Sequence, residues 1–403
     1  MTTPNIPYNM GSMDPDIIDN TDSPYIKRDL EDIIYQNLNK GKVIILYGPR
    51  RAGKTTLIRH LFKDKNIPYL YLNCRQKRIQ KQIVPDSLEL KTIIGDHKNI
   101  IFDEAQYLED PGEVFTVLID TFPNLNIIAS GSSSFELSGK VQEPATGRNL
   151  PYYLFPLSYH EIEKNYPATD INFYLDQTLR FGSYPEIFHY TTTDEKIHYL
   201  QLLTNDYLYK DILDFERVNS SAKLQKLLEA LSLQIGQQVS YSEIANMLSI
   251  DRKTVEYYID LLEKTYVIFR LYPYSRNLRS EINQKVKIYF YDVGVRNALI
   301  NNFNSLDIRS DCGFLFENYF IAEMIKQNIN KLYKSNFYYW RTYTQKEIDL
   351  IEEREGKLSG FECKYSDKRS VPRATLNEFV EAYPGSIIKT VTPQVLKEIL
   401  ESN

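Results

Sequence analysis

The 403-residue sequence is poor in cysteine, with Cys74, Cys312 and Cys363 only, an odd and scattered set. That excludes a disulfide framework and the paired spacing of a zinc ribbon, and it fits reduced thiols of an intracellular compartment. Long apolar runs are missing as well. A stretch such as Val43 to Leu46 has strand length, far below the ~20 residues that span a bilayer. The N-terminus lacks the basic-then-apolar layout of a signal peptide, so the expectation is a cytoplasmic protein with no membrane contact. Neither sign of charge dominates: 48 Lys and Arg face 53 Asp and Glu, net −5. Contact with nucleic acid must therefore come from local patches rather than a global field. What is present is globular in kind, 42% hydrophobic, 25% charged and 13% aromatic, which excludes wholesale disorder and fibrous architectures. At ~100–200 residues per domain the length implies two or three domains.

Residues 1–22 mix Pro, Asn, Gly and Ser without apolar periodicity and read as a tail. From 23 to 156, short apolar strands alternate with helical stretches, the rhythm of a parallel sheet covered by helices. From 157 to 237, apolar residues recur at three- and four-residue intervals, as in a helical connector or lid. A short helix, a turn, a second helix and strand-like "YVIFRLYPY" fill 238–282, and 283–403 mix strands and helices again.

After the strand "KVIILY" comes Gly48-Pro49-Arg50-Arg51-Ala52-Gly53-Lys54-Thr55-Thr56, which matches G-x-x-x-x-G-K-[ST] and leads into the helical "LIRHLF". Glycines let backbone N–H groups close around a phosphate, and the helix N-terminus favours the anion. A lysine at position 54 suits the β and γ oxygens of a bound phosphate chain, and a hydroxyl at Thr55 suits Mg²⁺. Arg50 and Arg51 add positive charge. About fifty residues on, the strand "NIIF" ends in Asp103-Glu104, where ligands bind in open α/β sheets. Asp103 suits Mg²⁺ through water, and Glu104 suits polarisation of the attacking water. A further strand ends in Gly131-Ser132-Ser133-Ser134. Ser132 is either a sensor of the γ-phosphate or a turn former.

These residues, with "IIFDEAQ", "IIASGSSS", Gly147-Arg148, "PLSYHE" from Pro156 and "FGSYPE" from Phe181, resemble the AAA+ family, in the archaeal and bacterial branch whose ATPase domain precedes a carboxy-terminal domain of unknown function. The resemblance covers most of residues 25 to 365 and makes 23–156 the ATPase core. It implies ATP as the bound nucleotide. It also implies a homo-oligomer in which Arg148 reaches a neighbouring subunit's γ-phosphate; a surface salt bridge is the competing role for Arg148.

Ser240 and Glu243 have the spacing of a capping box opening "EIANML", and "TVEYYIDLLEK" follows a short turn, a helix-turn-helix pattern. Val255, Tyr258, Ile259 and Leu262 form the apolar stripe of the second helix. That leaves Arg252, Lys253, Thr254 and Tyr257 at its outer N-terminal end, placed to contact DNA. The strand-like segment that follows resembles the wing of a winged helix, with Arg270, Arg276, Arg279, Lys285 and Lys287 as a basic patch beside it. Protein docking is the competing use of such a module.

In the last segment Glu317 falls on the apolar stripe of the helix "GFLFENYFIAEMIKQ", where a carboxylate needs a partner. A hairpin centred on the turn Arg354–Lys357 sets Asp349 opposite Glu362, with Lys364 on the same face. Opposed like charges require a cation or a proton. The set resembles the PD-(D/E)xK nuclease superfamily, whose core order is helix, three strands, helix, strand. By that resemblance Asp349 and Glu362 hold Mg²⁺ or Mn²⁺, Glu317 supports the site, and Lys364 orients or deprotonates the attacking water. Ile348 stands where the motif usually has Pro. An edge hairpin with an ordinary Glu362–Lys364 salt bridge is the competing reading.

The expected fold is thus α/β: a P-loop NTPase parallel sheet with a helical lid, followed by a winged helix and a restriction-endonuclease-like α/β domain. The expected function is an ATPase acting on DNA with a metal-dependent nuclease-like terminal domain. The alternative is a nucleotide-dependent switch that binds DNA or a protein without cleavage.

Overall fold

The structure is a computed structural model, and it describes residues 24–131, 147–166, 171–208, 221–275, 285–366 and 373–402. The expected tail, residues 1–22, lies outside these.

The first layer is a parallel sheet of β1 (Val43–Tyr47), β2 (Leu70–Asn73), β3 (Asn99–Asp103), β4 (Asn126–Ser130) and β5 (Asn149–Tyr153), in the order β2-β3-β4-β1-β5. Every residue of β1 and β3 is buried, as a parallel sheet covered on both faces requires. Ile44 and Leu46 point to one face and pack with α1 (Asp29–Asn37) and α2 (Lys54–Asp64). Val43, Ile45 and Tyr47 point to the other, against α4 (Ser87–Ile94) and α5 (Pro111–Thr121); α3 (Lys77–Gln82) follows the edge strand β2. This is the alternation of side chains along a strand made visible.

The segment expected as a helical connector contains α6 (Tyr159–Asn165), α7 (Ile171–Phe181), α8 (Thr193–Leu202) and α9 (Ser221–Leu233). Then come β6 (Gln238–Val239), α10 (Tyr241–Leu248), α11 (Arg252–Lys264), β7 (Ile268–Pro273), β8 (Val286–Phe290) and α12 (Val293–Leu299). Leu224 and Leu228 of α9 share one core with Val255, Ile259 and Ile288, so packing continues across the expected boundary at 237. The last elements are α13 (Cys312–Asn330), β9 (Asn336–Arg341), β10 (Glu347–Arg354), β11 (Lys357–Cys363), α14 (Arg373–Ala382), β12 (Ile387–Val391) and α15 (Leu396–Ser402). The second sheet has the order β12-β11-β10-β9-β7-β8-β6. It is mixed: β7 runs parallel to β9 and antiparallel to β8. The boundary expected after residue 282 therefore falls between two paired strands, β7 and β8, and both flanking segments build one sheet.

The two sheets meet at a joint of glycines and buried charges. Gly182 has φ +74°, and a Cβ there would lie 2.1 Å from Asp292 Oδ1; one on Gly294 would lie 2.2 Å from the Phe181 carbonyl oxygen. Asp292 accepts the Ser183 N–H at 2.7 Å and caps α12 through the Val295 N–H at 3.0 Å. Lys326 on α13 donates to Ser183 Oγ at 3.2 Å and to the Leu157 carbonyl at 3.3 Å, and it pairs with Glu323 at 2.9 Å. Glu323 accepts the Tyr159 N–H at 2.6 Å. The "FGSYPE" segment is thus a seat for the terminal elements. Gly294→Ala is expected to destabilise the chain by ~1–3 kcal/mol or more, as overpacking a closed interior does, seen as a lower urea midpoint in equilibrium unfolding.

Candidate functional site

β1 delivers the chain into the phosphate loop. At Gly48, with φ +148°, a Cβ would stand 2.1 Å from the Leu154 carbonyl oxygen, so only glycine fits; Gly53, at φ +96°, opens α2. Lys54 is buried, and its ammonium donates to the Gly48 and Pro49 carbonyls at 2.8 and 2.9 Å, closing the loop on itself. Thr55 Oγ1 donates to Asp103 at 3.0 Å. Thr56 and Arg51 are exposed, Ala52 is buried, and Pro49 and Arg50 line a cleft with Tyr184, Tyr266, Tyr291 and Asp292.

Asp103, at the end of β3, gathers hydroxyls from two strands and a helix around one carboxylate. Besides Thr55, Tyr71 donates at 2.5 Å and Ser130 donates to Oδ1. The Arg59 guanidinium lies 4.3 Å from the Tyr71 ring centroid. Glu104 takes a left-handed backbone, φ +57°, and its N–H donates to Ser130 Oγ at 3.1 Å. Its carboxylate accepts from Arg75 at 2.7 Å and from Gln106 at 2.5 Å. Sequence reasoning named Ser132, which lies outside the described residues, and missed Ser130. Strand order was the missing signal: β4 lies between β1 and β3, so its last residue lands between the loop and Asp103.

Arg28 was also missed. It is buried, donates to the Ala52 carbonyl at 2.8 Å and the Phe155 carbonyl at 2.6 Å, and pairs with fully buried Glu161 at 3.0 Å. The "PLSYHE" segment therefore braces the loop from beneath. Arg148 precedes β5, and its carbonyl accepts the Val43 N–H at 3.0 Å, at the end of β1 away from the loop. Its guanidinium pairs with Asp120 at 3.0 Å on the surface, so the chain does not bring Arg148 to its own phosphate loop.

The carboxylates of the second sheet do come together. Leu350 pairs with Phe361 and Glu353 with Leu358, the register that sets Asp349 opposite Glu362. Asp349 accepts the Cys363 N–H at 2.8 Å, and Lys364 donates to Glu362 Oε1 at 2.7 Å. Glu362 Oε2 is buried with no hydrogen-bond partner. Glu317 on α13 accepts from Tyr289 at 2.5 Å and Lys287 at 3.3 Å; Lys287 also pairs with Glu347 at 2.5 Å. Burial, with the Asp349 carboxylate beside it, pushes Glu317 up to about 8 and Glu362 up to about 7; burial also raises Asp349. Burial alone would lower the Lys287 ammonium, but Glu317, Glu347 and Asp349 more than reverse it. Among the described residues no group of three or more His, Cys, Asp or Glu side chains could hold a metal by itself. Mg²⁺ is commonly held by only one or two carboxylates, with waters and phosphate oxygens completing its shell.

Lys287 corrects the expected basic patch: only 1% of its side chain is exposed, because β8 is an interior strand. Arg270 is likewise committed, to Glu263 and to Asp260. Arg276 and Arg279 lie outside the described residues. On α11, Val255, Tyr258, Ile259 and Leu262 are buried as expected. Asp251 caps the helix through the Thr254 N–H and hydroxyl, and Arg252 pairs with Glu256 at 3.1 Å. Lys253 and Tyr257 are exposed.

Comparison with known proteins divides the chain in three. Residues 40–163 match the AAA domain family, 172–306 a domain of unknown function (DUF8612) and 312–396 another (DUF4143). An uncharacterized protein of Mycobacterium tuberculosis is 26% identical over 371 residues, covering 89% of this chain and 80% of its own. One from Methanocaldococcus jannaschii is 26% identical over 355 residues, covering 82% and 76%. Among solved structures, a Walker-type ATPase of Pyrococcus abyssi is similar over 68% of this chain and 96% of its own, with 18% identity and a TM-score of 0.48. The first sheet and its loop are thus an AAA-type P-loop ATPase domain, which binds and hydrolyses ATP. Among the described residues no helix is long and apolar enough to cross a membrane.

Tyr71→Phe removes one hydrogen bond to a carboxylate, worth ~1.5 kcal/mol or more. It is expected to raise the Mg²⁺ concentration for half-maximal ATP hydrolysis about tenfold, measured by phosphate release across a Mg²⁺ titration. The raised carboxyls give a second expectation. Glu317 and Glu362 bind protons more tightly folded than at the ordinary value of 4.5, so stability is greatest near that value and falls as pH rises toward 8. Thermal unfolding from pH 5 to 8 should show this decline, and Glu317→Gln should flatten it.

Proposed function

We propose that the protein is a cytoplasmic ATP-driven enzyme acting on DNA, in which the terminal elements form a Mg²⁺-dependent nuclease-like site. The observation that carries this reading is the opposition of Asp349 and Glu362 on paired strands, with Lys364 bound to one Glu362 oxygen and the other oxygen buried without a partner. An orphaned buried carboxylate oxygen is costly, and a cation there satisfies it.

The element order α13, β9, β10, β11, α14, β12 supports the nuclease-like assignment, with β12 parallel to β11. Asp349 and Glu362 are the residues to hold Mg²⁺ or Mn²⁺, Glu317 supports them, and Lys364 orients water. In the ATPase domain, Thr55 and Asp103 are the ligands for Mg²⁺. The order α9, β6, α10, α11, β7, β8 supports a winged helix, and Arg252, Lys253, Thr254 and Tyr257 present its outer end to DNA. Arg148, remote from its own loop, fits a role in a neighbouring subunit of a homo-oligomer.

The second reading is a nucleotide-dependent switch that binds DNA or a protein without cutting. Lys287 favours it, because its buried ammonium already supplies a positive charge to the carboxylates. Supercoiled plasmid incubated with Mg²⁺ or Mn²⁺, with and without ATP, separates the two. Wild-type protein is expected to nick it and Asp349→Ala to abolish nicking, while Lys54→Ala reports whether ATP gates the cut. Intact plasmid with ongoing ATP hydrolysis would establish the switch.

A further inference from the structure

A small cleft, apart from the phosphate loop and the carboxylate cluster, is lined by all three of the matched segments, 40–163, 172–306 and 312–396. On α6, Ile162 and Glu163 follow Tyr159 by three and four residues, so the three share one helix face. Tyr174, Leu175 and Thr178 share a face of α7 in the same way, and Tyr319 of α13 completes the lining. The capping box of Ser158 and Glu161 sets the start of α6, and Glu323 accepts the Tyr159 N–H at 2.6 Å. The backbone that carries the Tyr159 ring is therefore fixed.

The lining offers three tyrosine rings, two aliphatic side chains and one carboxylate, Glu163. Thr178 commits its hydroxyl to the Tyr174 carbonyl at 2.8 Å. The Tyr159 hydroxyl has no such outlet: the residue is 8% exposed, and its oxygen is buried with no hydrogen-bond partner. A buried polar group left unbonded costs free energy, which a ligand atom in the cleft recovers. Burial, and then the carboxylates of Glu163, Glu401 and Glu323, hold the phenol above its ordinary value. Tyrosine faces are electron-rich as well, so the cleft repels an anion and draws in a cation. The chain itself shows which kind. On α15 the Lys397 ammonium pairs with Glu163 and lies 3.7 Å from Glu401, so one alkylammonium already bridges these two carboxylates. Lys397 is 44% exposed, and an ion pair so open to solvent is weak and replaceable.

We propose that this cleft binds an aliphatic diamine, one ammonium donating to the Tyr159 oxygen and to Glu163 among the tyrosine rings, the other taking the place of Lys397 at Glu401. The alkyl stem between them suits Ile162 and Leu175. A quaternary ammonium would meet the rings but has no N–H for Tyr159, and a monoamine has nothing for Glu401. Because the lining comes from three segments, an occupant ties them together and stabilises the folded chain by mass action. The inference is independent of ATP hydrolysis and of whether the carboxylate cluster cuts.

The test is isothermal titration calorimetry of the full chain with 1,4-diaminobutane, butylamine, 1-butanol and butyrate. The diamine is expected to bind saturably with a Kd of about 1 mM or tighter, butylamine more weakly, and 1-butanol and butyrate not at all. Tyr159→Phe removes a hydrogen bond to a charged group and should weaken the diamine about tenfold. Tyr174→Leu keeps an apolar wall but loses a ring face, and should weaken it about threefold. Lys397→Met removes the internal competitor and should tighten binding about threefold, an effect that a plain surface salt bridge does not predict. The thermal midpoint of the chain should rise with the diamine and not with 1-butanol. Absence of saturable diamine binding to both wild type and Lys397→Met overturns the proposal, as does equal binding of butyrate or 1-butanol. So does unchanged affinity in the Tyr159→Phe and Tyr174→Leu proteins, which would mark association with the acidic surface at large.

Discussion

One buried carboxylate, Asp292, fixes how the two sheets of this protein sit together. Burial raises it, and the N–H groups of Ser183 and Val295 with the nearby Lys326 ammonium offset that cost. It stands so close to Gly182 that no larger residue fits, and Gly294, two residues on, presses against the Phe181 carbonyl in the same way. A joint of this kind has no slack. Closely packed interiors shift between discrete arrangements rather than deforming smoothly. Asp292 also lines the cleft that Pro49 and Arg50 share, and it lies two residues beyond β8, whose Lys287 and Tyr289 hold Glu317. The wall of the phosphate loop and the support of the carboxylate cluster are thus two ends of one short path through the backbone.

The ATPase site is arranged around donors to Asp103. Hydroxyls from Thr55, Tyr71 and Ser130 orient its carboxylate without bringing a countercharge to it. Lys54 bonds to the loop's own carbonyls, which holds its ammonium against the backbone of the phosphate loop. Glu104 is the exception, since Arg75 neutralises it. Its left-handed backbone costs ~1–2 kcal/mol for a residue with a Cβ, and the Ser130 hydroxyl that accepts its N–H helps hold it there.

What could be read from sequence was whatever is local. The phosphate loop is legible because glycine, lysine and threonine at fixed offsets are demanded by one turn and one helix start. The facing of Asp349 and Glu362 is legible because a hairpin with a short turn fixes its own register. Ser130, Tyr71 and Arg28 were not legible: each reaches its partner across strands or segments whose order no local pattern states. Lys287 shows the same limit from the other side. Counting charges from 270 to 287 treats each as exposed, yet β8 is flanked by β6 and β7 and carries its lysine inward. The domain edges at 237 and 282 were drawn from changes in pattern, while the cores and sheet run through both.

The charge of the terminal cluster sets what it can bind. Glu347 is matched by Arg341 at 2.9 Å, which leaves Glu317, Asp349 and Glu362 against the ammoniums of Lys287 and Lys364. With every group ionised the cluster is one negative charge from balance, and a proton on Glu317 or Glu362, both raised by burial and by Asp349, closes the gap. A divalent cation, were one bound there, would close it differently, displacing the proton and leaving one net positive charge beside the orphaned Glu362 oxygen. That excess would be the right sign for a phosphodiester, whose approach would restore neutrality in a setting where unbalanced charge is costly. Lys287 would set the affinity for such a cation, because without its ammonium the cluster would carry two negative charges instead of one.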